Sequence, residues 1–593
     1  MPNLIIFDFE VFKYDCLLGA KIVSEDNVTL FQSWDPEEMK ELYAQNTDSI
    51  WIGHNNSGYD NFILQTILRD GNPWKTSKAI IEERKKMYLD IDLIYYDLMC
   101  QHHCSLKLME AYLGKNISET EVDFNLDRHL TNEEKLKTES YNRDDLDQTF
   151  DDLLFMQADF NLRLDVIKEF KLPISCVSAT GTRIAEEVLH AKKTPGIETW
   201  RVLPKMYPQL QIKNQALIDF YMSEKFRTDE KLDIMLCGLQ HRIGSGGIHA
   251  AEKKIHVDSA LYLDVSGYYN LVMLLYNLLP RSIPDEYKKL YEFMYHEQLR
   301  LKKIDPGKRA VYKTILLSVF GAMMNEYCRF YDPQNGLLVT ITGQLFLVDL
   351  LEKLEGKVRC IQSNTDGIIV KPLPGIDEQV VVDVVNEWQQ RTGFVLKVEH
   401  IFDIYQRDVN CYMYRDDKGE IHTLGEAVKD YGKWQYPFWK DSYKSKEPMI
   451  ISTAIVEYFM NHKLPEETIA ENARTLRMFQ YLAKKQYFDW LDYQVTDSNG
   501  NVTTTRVQSI NRAFAWSDEN QRGMLYKCRA SGKVTKTKIS NLPDSVFIYN
   551  HEILSDEVVD QLQERIDYQY YINRAYERIL EFIKLDEVKE IAA

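Results

Sequence analysis

A chain of 593 residues is long enough for several cores, and 45% hydrophobic with 27% charged residues is a globular balance that excludes disordered and fibrous classes. The formal net charge of -18 excludes a general basic coat, so any binding to a polyanion must run through local basic strips. Nine cysteines without paired spacing argue against a disulfide framework, and no apolar run reaches membrane-spanning length.

The opening Leu4-Ile-Ile-Phe-Asp-Phe-Glu10 reads as a buried strand whose period of two sets Asp8 and Glu10 on one face. The preceding residues lack the basic start of a signal peptide, so a soluble, cytoplasmic protein is expected. Ile50-Trp-Ile-Gly-His-Asn-Asn-Ser-Gly-Tyr-Asp60 reads as a strand and a turn, followed by a helix from about Asn61. Cys100-Gln-His-His-Cys104 has metal-ligand residue types. It lacks a second pair at zinc-finger distance and lies in an apolar helical pattern, which disfavours zinc. Tyr141-Asn-Arg-Asp-Asp145 stands near the start of a helical run from Asp145 to Leu154, with Asp144 and Asp147 read as solvated charges.

Asp8, Glu10, Asp60 and Asp145, with a tyrosine four residues before the last, resemble the four-carboxylate metal site of 3′–5′ proofreading exonucleases. The resemblance implies that these four hold two metal ions and that Tyr141 positions the attacking water. It also implies that Asn56, in Asn56-Ser-Gly-Tyr-Asp60, contacts DNA. The competing reading is three unrelated acidic sites.

Further along, Ser178 to Leu189 reads as a capped helix, and His241-Arg-Ile-Gly-Ser-Gly-Gly-Ile-His249 as a glycine-rich turn entering a strand. No Gly-Lys-Ser follows it, so it is not a nucleotide-binding phosphate loop. Leu261-Tyr-Leu-Asp-Val-Ser-Gly-Tyr-Tyr-Asn270 is a strand delivering Asp264, broken at Gly267. Two helices, Pro284 to Lys303 and Pro306 to Met323, follow; the second carries Lys308-Arg-Ala-Val-Tyr-Lys-Thr-Ile-Leu-Leu-Ser-Val-Phe-Gly321, closed by Gly321. Ile361-Gln-Ser-Asn-Thr-Asp-Gly-Ile-Ile-Val370 reads as a β-hairpin with Asp366 at its tip. From about Pro448 the pattern reads as helical and basic-aromatic, as in Thr475 to Lys485. A hairpin turn is expected at Asn499-Gly500, strands carry Lys536 and Lys538 on one face, and a helical run extends from Asp556 to Leu585. Those lysines suit phosphate tracking or the protection of an edge strand.

The order of Asp264-Val-Ser-Gly-Tyr-Tyr, Lys313 to Gly321 and Asn364-Thr-Asp366-Gly resembles the polymerase core of family B DNA polymerases, with Asn364, Leu317 and Phe320 departing from its usual residues. The resemblance implies a multidomain α/β and α+β protein. Its parts would be a ribonuclease H-like exonuclease domain (1–165), a connecting region (166–255), palm (256–283 and 326–447), fingers (284–325) and thumb (448–593). Asp264, Val265 and Asp366 would hold two Mg²⁺ ions, replaceable by Mn²⁺. Arg300, Lys303, Lys313, Tyr269, Val265 and Phe320 would bind the incoming dNTP, with Tyr269 discriminating its sugar. Gly246 and Gly247 would contact template, Tyr412 the primer, and Lys536 and Lys538 the duplex. The function implied is template-directed DNA synthesis with proofreading, by a monomer of the compact bacteriophage type. Its partners would be primer-template DNA, dNTPs and replication accessory proteins, in the host cytoplasm. The rival reading is a DNA-processing 3′–5′ exonuclease with a degenerate polymerase core, suggested by Asn364, Leu317 and Asn410.

Overall fold

The computed structural model describes residues 3–24, 27–117, 119–193, 207–223, 230–265, 267–364, 367–433, 446–531 and 533–584. The chain divides into two compact units. One comprises Met1–Ser178, Gly432–Ile450 and Ile469–Asn573; the other comprises Ala179–Tyr431, Ile451–Thr468 and Arg574–Ala593. The stretch 448–593, expected as one thumb, is therefore shared between them. No helix of the described residues is long and apolar enough to cross a membrane.

The first unit is built on a five-stranded sheet in the order Val28–Ser33, Cys16–Val23, Leu4–Val11, Ile50–Gly53, Tyr95–Asp97. The two strands from Ile50 and Tyr95 run parallel to the central Leu4–Val11, and the other two antiparallel. Alternation along Leu4–Val11 sends Phe7 and Phe9 into a core with Trp51, Ile63 and Leu64. Ile6, on the opposite face with Asp8 and Glu10, packs with Leu146 and Leu153. Those leucines belong to the helix Asn132–Phe155, opened by a capping box between Thr131 and Glu134. That helix starts well before the expected Asp145, because Thr131-Asn-Glu-Glu134 is itself a start signal, and so Tyr141 and Asp145 lie one turn apart within it. At Gly19, the strand partner of Asp8, the helix packs tightly on the sheet. A Cβ there would lie 1.7 Å from Asn142 Oδ1.

The helical pattern expected from about Pro448 is present as Met449–Asn461 and Pro465–Asn472, but from Tyr481 to Ile548 the chain is mainly β structure. Between Thr475 and Lys485 there is only a single turn of 3₁₀ helix, Leu476–Met478, before the strand Tyr481–Lys484. Tyr481 and Ala483 are buried while Leu482 and Lys484 are half-buried, a period of two that outweighs the local helix-forming composition. The predicted turn at Gly500 is present, with φ of +83° and Asp497 accepting its backbone hydrogen bonds. The terminal run is two helices, Asp556–Gln563 and Tyr568–Ile579, interrupted where Ile566 bridges to Trp516.

Arg512 ties these strands to the N-terminal part of the same unit. It is fully buried and donates to Gln480 Oε1 (2.8 Å), His551 O (2.7 Å), Ala111 O (3.1 Å) and Lys115 O (3.0 Å). Arg477 Nε donates to Tyr112 O at 3.0 Å. Two arginines thus satisfy carbonyls at the C-terminal end of the helix Leu106–Leu113, where positive charge also suits the helix dipole.

The second unit contains a nine-stranded antiparallel sheet in the order Ile421–Leu424, Cys411–Asp416, Leu396–Asp408, Ile255–Val265, Gly367–Pro372, Val358–Asn364, Gly247–Ala251, Leu239–Gly244, Leu232–Leu236. Its last three strands come from the stretch read as a connecting region. The helical pair falls where expected, as Asp285–Arg300 with a 3₁₀ turn Leu301–Lys303, then Pro306–Ala322 capped by Asp305. The second helix continues past Gly321 rather than closing there.

Candidate active sites

The first centre joins three segments of the first unit. Asp8, Glu10 and Asp145 each bring one oxygen to within 4.8 Å of the others'. Asp60, the first residue of the helix Asp60–Leu68, is held beside them by a hydrogen bond from Phe9 N to Oδ1 at 3.2 Å. Asn142 Nδ2 donates to Asp8 Oδ2 at 3.1 Å, fixing the carboxylate from the helix side. The Tyr141 hydroxyl donates to Asp145. Glu10, Asp60 and Asp145 are buried and Asp8 is half-buried.

Such crowding in a low-dielectric space raises carboxylate pKa values. Burial, reinforced by Asp145 and Asp60, pushes Glu10 up to about 8. Burial likewise pushes Asp60 up to about 7 and lifts Asp8 well above the ordinary range, with Glu10 and Asp60 adding to the rise at Asp8. All donors are carboxylate oxygens, the set that hard divalent cations such as Mg²⁺ prefer.

Two residues absent from the sequence expectation complete this centre. Lys107 Nζ lies 2.6 Å from Asp145 Oδ1, 3.1 Å from Glu110 Oε1 and 4.9 Å from the centroid of the Tyr141 ring. Glu110 is buried, and its burial pushes it up to about 8 despite Lys107. Their signal was available: a lysine and a glutamate three apart interrupt the otherwise apolar Leu106–Leu113.

The second centre surrounds Asp264, half-buried near the end of the strand Ile255–Val265. Strand register pairs Asp264 with Gly367 on one side and Lys397 on the other. Asn364 pairs with Gly367. Asp366 itself lies outside the described residues. Burial raises the Asp264 pKa, and Lys397 and Lys302 counter the rise. Val265 is buried and pairs with Leu396.

After Asp264, Gly267 takes φ of +60° and begins the helix Tyr268–Leu275. This turn delivers Tyr269 onto Phe320, with ring centroids 4.2 Å apart and planes 21° apart, so two residues predicted to meet the nucleotide stack on each other. Lys313 and Lys303 are exposed. Arg300 is exposed too, but forks onto Glu297 one turn back (Nε to Oε2 2.9 Å). Lys302, next to the predicted Lys303, is the lysine of this turn whose charge acts on Asp264.

Several expected contacts sit differently. Asn56 is fully buried, its amide donating to Asn61 Oδ1 at 3.2 Å, so it supports the Asp60 turn from inside. Tyr412 is a core residue, packed with Ile361, Ile401 and Tyr414, because its strand faces the sheet interior there. Gly246 is exposed in a two-residue hairpin turn, and Gly247 is buried at the start of the next strand. Lys536 and Lys538 lie on an edge strand but are ion-paired, to Asp492 at 2.6 Å and Asp544 at 2.8 Å. Cys100 and Cys104 do not converge. Cys100 is exposed, whereas Cys104 is buried and points its thiol at Ser105 O. His102 next to them is buried, bonded to Asp152 at 2.8 Å and accepting from Cys104 N at 3.1 Å, which engages both ring nitrogens.

No family model matches the chain, and no curated protein matches it. Among solved structures, a family B DNA polymerase from the hyperthermophilic archaeon Pyrobaculum calidifontis is similar. The sequence identity is 14%, the match covers 99% of this chain and 78% of that one, and the TM-score is 0.42. A likeness at that level assigns no function.

Proposed function

We propose that the protein is a template-directed DNA polymerase with a 3′–5′ proofreading exonuclease, of the compact type that bacteriophages encode. The observation that carries this reading is the convergence of Asp8, Glu10 and Asp145 within 4.8 Å, with Asp60 bonded to the same strand. Carboxylates up to 137 residues apart in the sequence (Asp8 and Asp145) otherwise have no reason to be buried together, since their mutual repulsion destabilises the fold. In this reading Asp8, Glu10, Asp60 and Asp145 hold divalent ions, which supply activation of water and charge neutralisation on the leaving 3′ oxygen. Tyr141, bonded to Asp145, orients the water, and Asn142 keeps Asp8 turned towards it.

Support for the polymerase half comes from Asp264, whose strand partner Gly367 directly follows Asp366 in the sequence. Asp264 and Asp366 would hold the ions for nucleotidyl transfer. The Tyr269–Phe320 stack gives a flat wall for a nucleotide, and Lys302, Lys303 and Lys313 supply positive charge for its phosphates. The test is primer extension with four dNTPs and Mg²⁺, together with 3′–5′ degradation of the unextended primer. Extension and degradation by one purified protein are expected. Degradation without extension would favour the processing-nuclease reading.

A further inference from the structure

Lys107 meets the carboxylate cluster at Asp145, and it has two carboxyl partners, Asp145 and Glu110, within reach of one side-chain position. Resting on the proposed metal-holding role of the cluster, we propose that Lys107 and Glu110 form a hand-over pair. The ammonium neutralises Asp145 when no divalent ion is bound, and Glu110 keeps it when the cluster takes up metal.

Two observations carry this. First, Nζ already touches both acceptors, at 2.6 Å from Asp145 and 3.1 Å from Glu110, so transfer needs only a small rotation of the lysine end. Second, Glu110 is 1% exposed, and Lys107 is the ion pair formed with it among the described residues. A lysine that lets go of Asp145 therefore has a buried acceptor already beside it.

The backbone under the pair is fixed. Arg512 and Arg477 hold the C-terminal carbonyls of the helix Leu106–Leu113, so the side chain moves and its stem does not. The Tyr141 ring, 4.9 Å from Nζ, offers the ammonium a cation–π contact close to both acceptors. Asp145 is therefore the carboxylate that changes partner, and Glu110 is a positioning residue that acts through Lys107.

The test reads Mn²⁺ binding directly, by electron paramagnetic resonance of free Mn²⁺, on the full-length protein. Glu110→Gln should weaken binding about tenfold, because Lys107 then stays on Asp145 and competes with the ion. In a Lys107→Met background the same substitution should change binding by less than about twofold. If Glu110→Gln has the same effect in both backgrounds, the glutamate acts through space alone and the hand-over is overturned. Should Lys107→Met misfold because Glu110 is left unpaired, comparison of Lys107→Met/Glu110→Gln with Glu110→Gln decides it. The double variant should bind Mn²⁺ about tenfold more tightly, and equal binding overturns the proposal. Mn²⁺ binding that survives Asp8→Ala unchanged would instead remove the metal-holding reading of the cluster, and the hand-over with it.

Discussion

Around Asp8, carboxylates are packed into a pocket with a single ammonium among them, whereas Asp264 stands half-buried on a sheet with two lysines acting on it. The first centre assembles its acids in advance and carries the repulsion as raised pKa values. The second has its aspartate near the end of a strand, and the predicted lysines Lys303 and Lys313 stand exposed on the helical pair. The contrast suits two tasks. A hydrolytic centre gains from a rigid constellation that excludes alternative geometries, while a polymerising one must admit and release a triphosphate at every cycle.

The largest effect should come from separating the two centres. Asp8→Ala with Glu10→Ala is expected to bring 3′–5′ degradation to background and leave primer extension intact, while Asp264→Ala does the reverse. Equal loss of both activities in a folded double variant would break the division into two sites.

Next in size is the clamp that holds the Lys107 helix. Arg512→Met removes hydrogen bonds to three backbone carbonyls, that of Ala111 buried, and should cost about 3 kcal/mol, read from the urea midpoint. A shift within error would mean that water or Arg477 satisfies those carbonyls instead.

The electrostatic contrast predicts opposite responses to pH and metal. Glu10 and Asp60 titrate above their ordinary values in the fold, at about 8 and about 7. A raised carboxylate favours the protonated folded state. Its contribution is therefore fully present below the ordinary value near 4 and is lost as pH climbs through 7 to 8. The metal-free protein should thus melt lower at pH 9 than at pH 6, and Glu10→Gln should flatten that slope. Mg²⁺ should raise the melting temperature most at the higher pH and release protons at pH 7, measurable by calorimetry in two buffers. An unchanged slope in Glu10→Gln would show that the cluster is solvated and not crowded.

A smaller effect is expected at the Tyr269–Phe320 stack. Tyr269→Ala should raise ribonucleotide incorporation about tenfold by removing the ring that a 2′-OH would meet. Phe320→Ala, which leaves Tyr269 without its 4.2 Å neighbour, should give a weaker change in the same direction.

How much of this was legible depended on range. Asp8 and Glu10 share a face because strands alternate, and Tyr141 and Asp145 align because helices turn every 3.6 residues. Both are local facts that the sequence carries. The burial of Asn56 and Tyr412 was not legible, since their surroundings come from Asn61, Ile361 and Ile401, which the fold brings in. Tyr481 to Lys484 reads as helical by composition and is a strand because Ile510–Ala515 pairs with it. Lys107 was readable as an oddity in an apolar helix, but its partner Asp145 lies 38 residues away, and only the packed structure joins them.

The smallest effect is expected at Asn364, where the family resemblance places an aspartate. Asn364 ends the strand Val358–Asn364, pairs with Gly367 and with His249, and is half-buried. Gly367 in turn pairs with Asp264, so Asn364 stands two strand positions across from that carboxylate. An aspartate here would add a negative charge to a centre whose lysines already offset Asp264. That addition should tighten metal binding slightly and repel the triphosphate slightly, two effects of opposite sign. An asparagine keeps the acceptor oxygen that the end of a hairpin strand can use, without the charge. Asn364→Asp is therefore expected to change the extension rate by less than about threefold, with a shift in the Mg²⁺ optimum towards lower concentration. Asp366→Asn, removing a proposed ligand, should abolish extension under the same conditions. If the parent protein extends no primer and Asn364→Asp restores synthesis, the centre around Asp264 is a degenerate one, and the molecule works through its carboxylate cluster alone.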